Sequence, residues 1–202
     1  MAIHIDSPPS EESIPPAFKR WTVEECENLC KIGALTGRYE LIEGMIIDKM
    51  GSGTNHSRLV CALFYALLQI FDGRRVWVQL PLRIQGDAGR YNEPEPDAMA
   101  TREDFSAYAE TPSADDVLLV AEVSDSSLLH DMNTKAKLYG RVGIPEYWIV
   151  DVEGERLIVH REPNASGYRS ITILQIGDTV SSLANENVSL AVSELFPKPK
   201  TN

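Results

Sequence analysis

At 202 residues the chain fits about one domain by the usual ~100–200 residues per domain, and its 43% apolar and 24% charged residues exclude fibrous and low-complexity classes. The 19 Lys and Arg against 30 Asp and Glu give a net charge of −11, which argues against passive, sequence-independent coating of DNA or RNA; any nucleic-acid role must rest on a local basic surface or a metal. No apolar run approaches the ~20 residues of a membrane helix, residues 1–6 lack a signal peptide's basic start and apolar run, and three cysteines without Cys-x-x-Cys spacing imply neither a disulfide framework nor a zinc knuckle, so the expectation is a cytoplasmic protein with core cysteines and no membrane contact.

Residues 1–20 carry four prolines and few periodic apolar positions, so they read as a flexible N-terminal arm to a single domain over 21–202. Thr22 with Glu25 three positions on forms a capping box for a helix reaching Ile32 before Gly33, with Cys26, Leu29 and Cys30 inward. Alternation around Glu43-Gly44 predicts a β-hairpin with arms at 38–42 and 45–50. From Thr54 to Phe71, Leu59, Val60, Leu63, Ala66, Leu67 and Ile70 give the stripe of an amphipathic helix.

A strand is expected over Val76–Ile84 with Pro81 at an edge or bulge, then a polar loop from Gln85 to Pro96 and a short strand over Asp97–Thr101. Val117–Val123 is a nearly continuous apolar run, as in a strand covered on both faces. A helix over 131–142 ends at Gly143 and Pro145, and strands follow at 146–151, 156–161 and 168–175. The order is α/β, a mixed central sheet flanked by helices with a strand–helix–strand unit at its centre.

Glu122 interrupts the apolar run, and a buried carboxylate is costly unless paired, protonated or bound to a metal. One reading has it cap the strand end and pair with a nearby Arg. The other joins it to Asp97, which opens another strand after Pro96, and to Lys135, which shares a helical stripe with Met132, Ala136 and Tyr139 while Lys137 points away. Two strand-borne carboxylates suit Mg²⁺ or Mn²⁺, and an inward lysine beside them suits phosphodiester hydrolysis, although a lysine that snorkels to the surface explains the same stripe. His56, near the start of the second helix, allows either a general-acid or phosphate contact or a satisfied, partly buried histidine. The aromatics of Glu146-Tyr147-Trp148 read as core rather than a base-stacking platform, and Arg58, Arg74, Arg75, Arg83, Arg90 and Arg102 form no stripe.

Arg38 to Gly44 (RYELIEG), His56-Ser57, Pro96-Asp97, Ala121 to Ser124 (AEVS) and Lys135 to Asp151 (KAKLYGRVGIPEYWIVD) closely resemble the Uma-two family of putative restriction endonucleases, within the PD-(D/E)XK nuclease superfamily. The resemblance spans Tyr39 to Phe196. It implies a restriction-endonuclease-like fold, with Asp97 and Glu122 as metal-binding acids and Glu40 as the acid that completes the site. The superfamily's lysine stands two residues after the second acid; that position is Ser124 here, and the resemblance is to the variant whose lysine moved to the following helix, making Lys135 the candidate. The expected function is a Mg²⁺- or Mn²⁺-dependent DNA endonuclease acting as a homodimer. A catalytically idle nuclease-fold binding or regulatory module is the alternative, and a glycosidase built on the paired acids ranks last because it leaves Lys135 without a role.

Overall fold

A computed structural model of the chain describes residues 18–49 and 53–198. Apart from 18–20, the predicted arm over 1–20 lies outside the described residues, as does residue 50 at the end of the predicted hairpin. Helix α1 (Val23–Lys31) starts where its capping box places it: the Thr22 hydroxyl accepts from the Glu25 N–H at 3.2 Å, and the Glu25 carboxylate accepts from the Thr22 N–H at 2.9 Å. Only Cys26 of its predicted inward face is fully buried. Leu29 is half-buried and Cys30 exposed, because α1 lies at the margin of the body, where Cys30 meets the Tyr39 hydroxyl rather than a core. Cys61 is exposed too, so the core reading of the cysteines holds for Cys26 alone.

Strands β1 (Tyr39–Ile42) and β2 (Met45–Asp48) form the expected hairpin; φ values of +52° at Glu43 and +80° at Gly44 make it a type I′ turn. Helix α2 (Thr54–Ile70) buries the six stripe residues predicted for it. The strand predicted over Val76–Ile84 stops early, as β3 (Val76–Val78), because Gln79 turns into left-handed backbone with φ +48°. The loop that follows contains one helical turn, α3 (Gly86–Gly89), and pairs Glu93 with Leu41 of the hairpin.

The central sheet runs β3, β4 (Ala98–Thr101), β5 (Val117–Ser124), β6 (Glu146–Asp151), β7 (Arg156–Asn164), β8 (Gly167–Gln175), in that spatial order. Only the β5–β6 pair is parallel. Between those two strands the chain forms α4 (Leu128–His130), a π-helical turn (Asp131–Lys135) and α5 (Ala136–Arg141). A ribbon of β9 (Thr179–Ser182) and β10 (Asn185–Ala191) follows, which the sequence did not predict because Val188 and Leu190 alone make a weak alternation.

Period-two alternation splits the sheet into two cores. Leu119, Ala121, Val123, Trp148, Val150, Leu157 and Val159 pack with α2, whereas Val120, Tyr147, Ile149 and Ile158 pack with Ala136 and Tyr139 of α5. Tyr147 and Trp148 are fully buried, in agreement with their reading as core. No helix among the described residues is long and apolar enough to cross a membrane. The result is the mixed sheet flanked by helices expected for a restriction-endonuclease-like fold.

Two local features of the α5 side are open to measurement. A Cβ on Gly140 would lie well under 3.0 Å from the backbone of Gly167 at the start of β8. Gly140→Ala, which in a free helix would stabilise by up to ~1 kcal/mol, should here destabilise by ~1–3 kcal/mol in urea unfolding, because backbone cannot rotate away. His160 is 1% exposed, packs at a tilt against the rings of Tyr147 and Tyr168, and has no hydrogen bond to either ring nitrogen. Burial pushes its pKa down, to about 4. The unfolded chain therefore takes up a proton near pH ~6.5 before the folded one does, so this stability is complete above that pH and is lost as pH falls towards the folded value. Melting temperature should fall more steeply over this window in wild type than in His160→Phe; parallel curves would exclude the contribution.

Candidate active site

Glu122 sits near the end of β5, 3% exposed, on the face covered by α5. Its Oε1 accepts from the Lys135 ammonium at 2.9 Å and from the Tyr139 hydroxyl at 3.0 Å. The Lys135 Nζ also lies 3.0 Å from Glu40 Oε2 and 3.7 Å from Asp131 Oδ1. Burial acts against the Lys135 charge, but the carboxylates of Glu122, Glu40 and Asp131 overcome it and raise the pKa far above that of an ordinary lysine. Burial pushes the Glu122 carboxyl up, and the Lys135 ammonium opposes that shift. Asp131 is held in turn by the Ser124 and Ser127 hydroxyls.

The π turn carries both Asp131 and Lys135 inward. Such a turn bonds i to i+5 and is often found at functional sites. Beyond it the predicted stripe continues with Ala136 and Tyr139 buried and Lys137 exposed. Leu138 and Gly140 are buried as well, because β8 covers that flank of α5.

Antiparallel pairing of Ala98 with Ala121 places Asp97 at the end of β4, across from Glu122. The Asp97 Oδ2 accepts from the Val123 N–H at 2.8 Å, and its Oδ1 lies 3.5 Å from His56 Nε2 at the start of α2. Burial would raise the Asp97 pKa, yet His56, Lys49 and the Val123 N–H together lower it. The same contact with Asp97 raises the pKa of His56 against the effect of burial. Glu40 arrives on the hairpin, which is stapled to the strand-entry loop by the paired backbones of Leu41 and Glu93 and by the Glu95 N–H donating to Glu40 at 3.3 Å.

These side chains share one open cleft of about 510 Å³, also lined by Arg38, Lys49, Gln79, Asp125 and His130. All five residues singled out from the sequence, Glu40, His56, Asp97, Glu122 and Lys135, line it. Lys135 is therefore not a snorkelling lysine, and Glu122 pairs with this lysine rather than with an arginine. The three acids do not close into a cage: among the described residues no three His, Cys, Asp or Glu side chains form a group that could hold a metal ion by themselves, because Lys135 stands between Glu40 and Glu122. The donor chemistry still fits a divalent ion bound by Asp97 and Glu122 with water in its other positions. Six carboxylates against three permanent cations line the cleft, and it is open.

Sequence reasoning missed Asp131, Tyr139 and the pair Arg38 and Lys49. Tyr139 was on the stripe and could have been named. The Glu43-Gly44 register already placed Lys49 opposite Arg38, two like charges across a hairpin, whereas nothing in the sequence signals the π turn that brings Asp131 in.

A family model, Uma2, described as "Putative restriction endonuclease", matches residues 23–193. No curated protein matches the chain. Among solved structures, one described as a putative nuclease belonging to DUF820 from Anabaena variabilis ATCC 29413 is similar, with a TM-score of 0.60 and 14% identity over 83% of this chain and 96% of that one. At that identity the likeness speaks for the fold.

Removing one partner of a buried ion pair leaves the other uncompensated, which typically costs ~3–5 kcal/mol. Lys135→Ala should therefore destabilise the protein strongly in urea at neutral pH, and adding Glu122→Gln should recover part of the loss. Strictly additive losses would show that the two side chains are not coupled.

Proposed function

The chain belongs to the Uma2 family of putative restriction endonucleases, and from that premise we propose that it is a divalent-metal-dependent endonuclease hydrolysing phosphodiester bonds in DNA, with Mg²⁺ or Mn²⁺ as the ion. The observation that carries the reading is a fully charged lysine buried between Glu122 and Glu40, beside Asp97, in one open cleft. A structural ion pair gains nothing from facing a cleft, whereas a hydrolytic site requires it.

In this reading Asp97 and Glu122 hold the ion. A divalent ion supplies Lewis acidity towards water and towards a phosphoryl oxygen. Lys135 donates hydrogen bonds to the attacking water and stabilises negative charge as it grows on the phosphate. Glu40 and Asp131 act through Lys135, keeping the ammonium protonated and aimed, so they are positioning residues. His56 fixes the Asp97 carboxylate and stands close enough to the cleft to contact a phosphate. Ser124, where the superfamily pattern has its lysine, serves the same arrangement by hydrogen-bonding Asp131. As a homodimer the protein would apply two such clefts to the two strands.

Supercoiled plasmid incubated with Mg²⁺ or Mn²⁺ should be nicked or linearised by wild type and left intact without the ion or by Asp97→Ala. Intact plasmid under every condition would favour the idle binding module instead. Assayed below its own melting temperature, Lys135→Ala should lose ~100-fold or more in rate, the scale of losing one charge-stabilising donor. Lys137→Ala should cut normally; equal rates in the two variants would remove Lys135 from the mechanism.

A further inference from the structure

The hairpin continues its register beyond the strands, since the Lys49 N–H donates to the Arg38 carbonyl at 3.0 Å. Arg38 and Lys49 thus stand opposite one another, and like charges in that relation destabilise a hairpin unless an anion lies between them. The anion present is a single carboxylate. Glu95 forms an ion pair with Arg38, and its Oε1 is 4.0 Å from the Lys49 Nζ, beyond hydrogen-bond reach; the ammonium instead donates to the Glu95 backbone carbonyl. Glu95 is the carboxylate that both cations approach, and an ammonium with three N–H groups keeps donors to spare beyond its bond to the Glu95 carbonyl.

That donor capacity is placed where a polyanion would need it. Both residues line the cleft, Arg38 with half its side chain exposed and Lys49 at 19%. Lys49 lines the same cleft as His56, Asp97 and Glu122, with most of its side chain withdrawn from solvent. Of the arginines that the sequence offers as phosphate contacts, Arg58, Arg74, Arg75, Arg83, Arg90 and Arg102, none lines the cleft. With a net charge of −11, the chain repels nucleic acid on average, so attraction has to come from a few cations at the site.

Building on the nuclease reading above, we propose that Arg38 and Lys49 form a phosphate clamp at the mouth of the cleft, gripping a backbone phosphate of the nucleic acid next to the one that is cleaved. The planar guanidinium takes phosphate oxygens in pairs, and the ammonium acts as a point charge between that phosphate and the catalytic acids. The clamp positions substrate. It makes and breaks no bond.

The full chain and its Arg38→Gln, Lys49→Gln and doubly substituted forms are titrated against a fluorescein-labelled duplex DNA in Ca²⁺, by anisotropy, over a series of NaCl concentrations. Glutamine at 49 can still donate to the Glu95 carbonyl, so it removes the charge and keeps the structural bond. Each substitution should raise Kd roughly tenfold and lower the slope of log K against log salt by about 0.9, the signature of one lost phosphate contact. Lys137→Gln, on the exposed side of α5, should change neither. If wild type binds or cuts the duplex while Lys49→Gln and Arg38→Gln match it in Kd and salt slope, the clamp is wrong and the nuclease reading stands. If wild type neither binds nor cuts the duplex, both are wrong.

Discussion

A carboxylate buried near the end of a β-strand has to find a positive charge, and the arrangement of this molecule follows from how Glu122 finds one. Isolated, such an ion would cost several kcal/mol of desolvation. Lys135 meets it at 2.9 Å, but a lone lysine would share the problem, so Glu40 comes in from the hairpin and Asp131 from the preceding turn of the same helix. The result is a cluster with more negative than positive charge, closed by the Tyr139 hydroxyl on the inside and open to the cleft on the other. An acid surplus of that kind is a standing demand for a cation.

The rest of the fold keeps the cluster in place. Apolar residues of α2 and the alternate positions of β5, β6 and β7 fill one side of the sheet, so the polar assembly on the other side is backed by a dry core. The close approach of Gly140 to Gly167 sets how near α5 can come to the start of β8. The hairpin is a separate two-stranded unit, yet its pairing with the loop before Asp97 ties Glu40, Arg38 and Lys49 to the same cleft. Local rigidity and site geometry therefore have common causes.

What could be read from the sequence divides along physical lines. The capping box of α1, the stripe of α2 and the type I′ hairpin are local signals and appear where their spacing puts them. The oddity of Glu122 in an apolar run, joined to the inward stripe of Lys135, was enough to name both. Features set by tertiary contact were not legible: the left-handed turn at Gln79 that cuts β3 short, the exposure of Cys30 and Cys61, and the π turn that inserts Asp131. Sequence spacing likewise says that acids converge but not that a lysine will occupy the space between two of them.

The central claim is that Asp97 and Glu122 hold a divalent ion beside Lys135. Its most direct test is an anomalous difference map from a crystal of the protein soaked in Mn²⁺. The account predicts one strong peak bounded by the Asp97 and Glu122 carboxylates, within ~2.0–2.6 Å of their oxygens, with the Lys135 ammonium still against Glu122. A peak elsewhere on this acidic surface, with none between those two carboxylates, would contradict it.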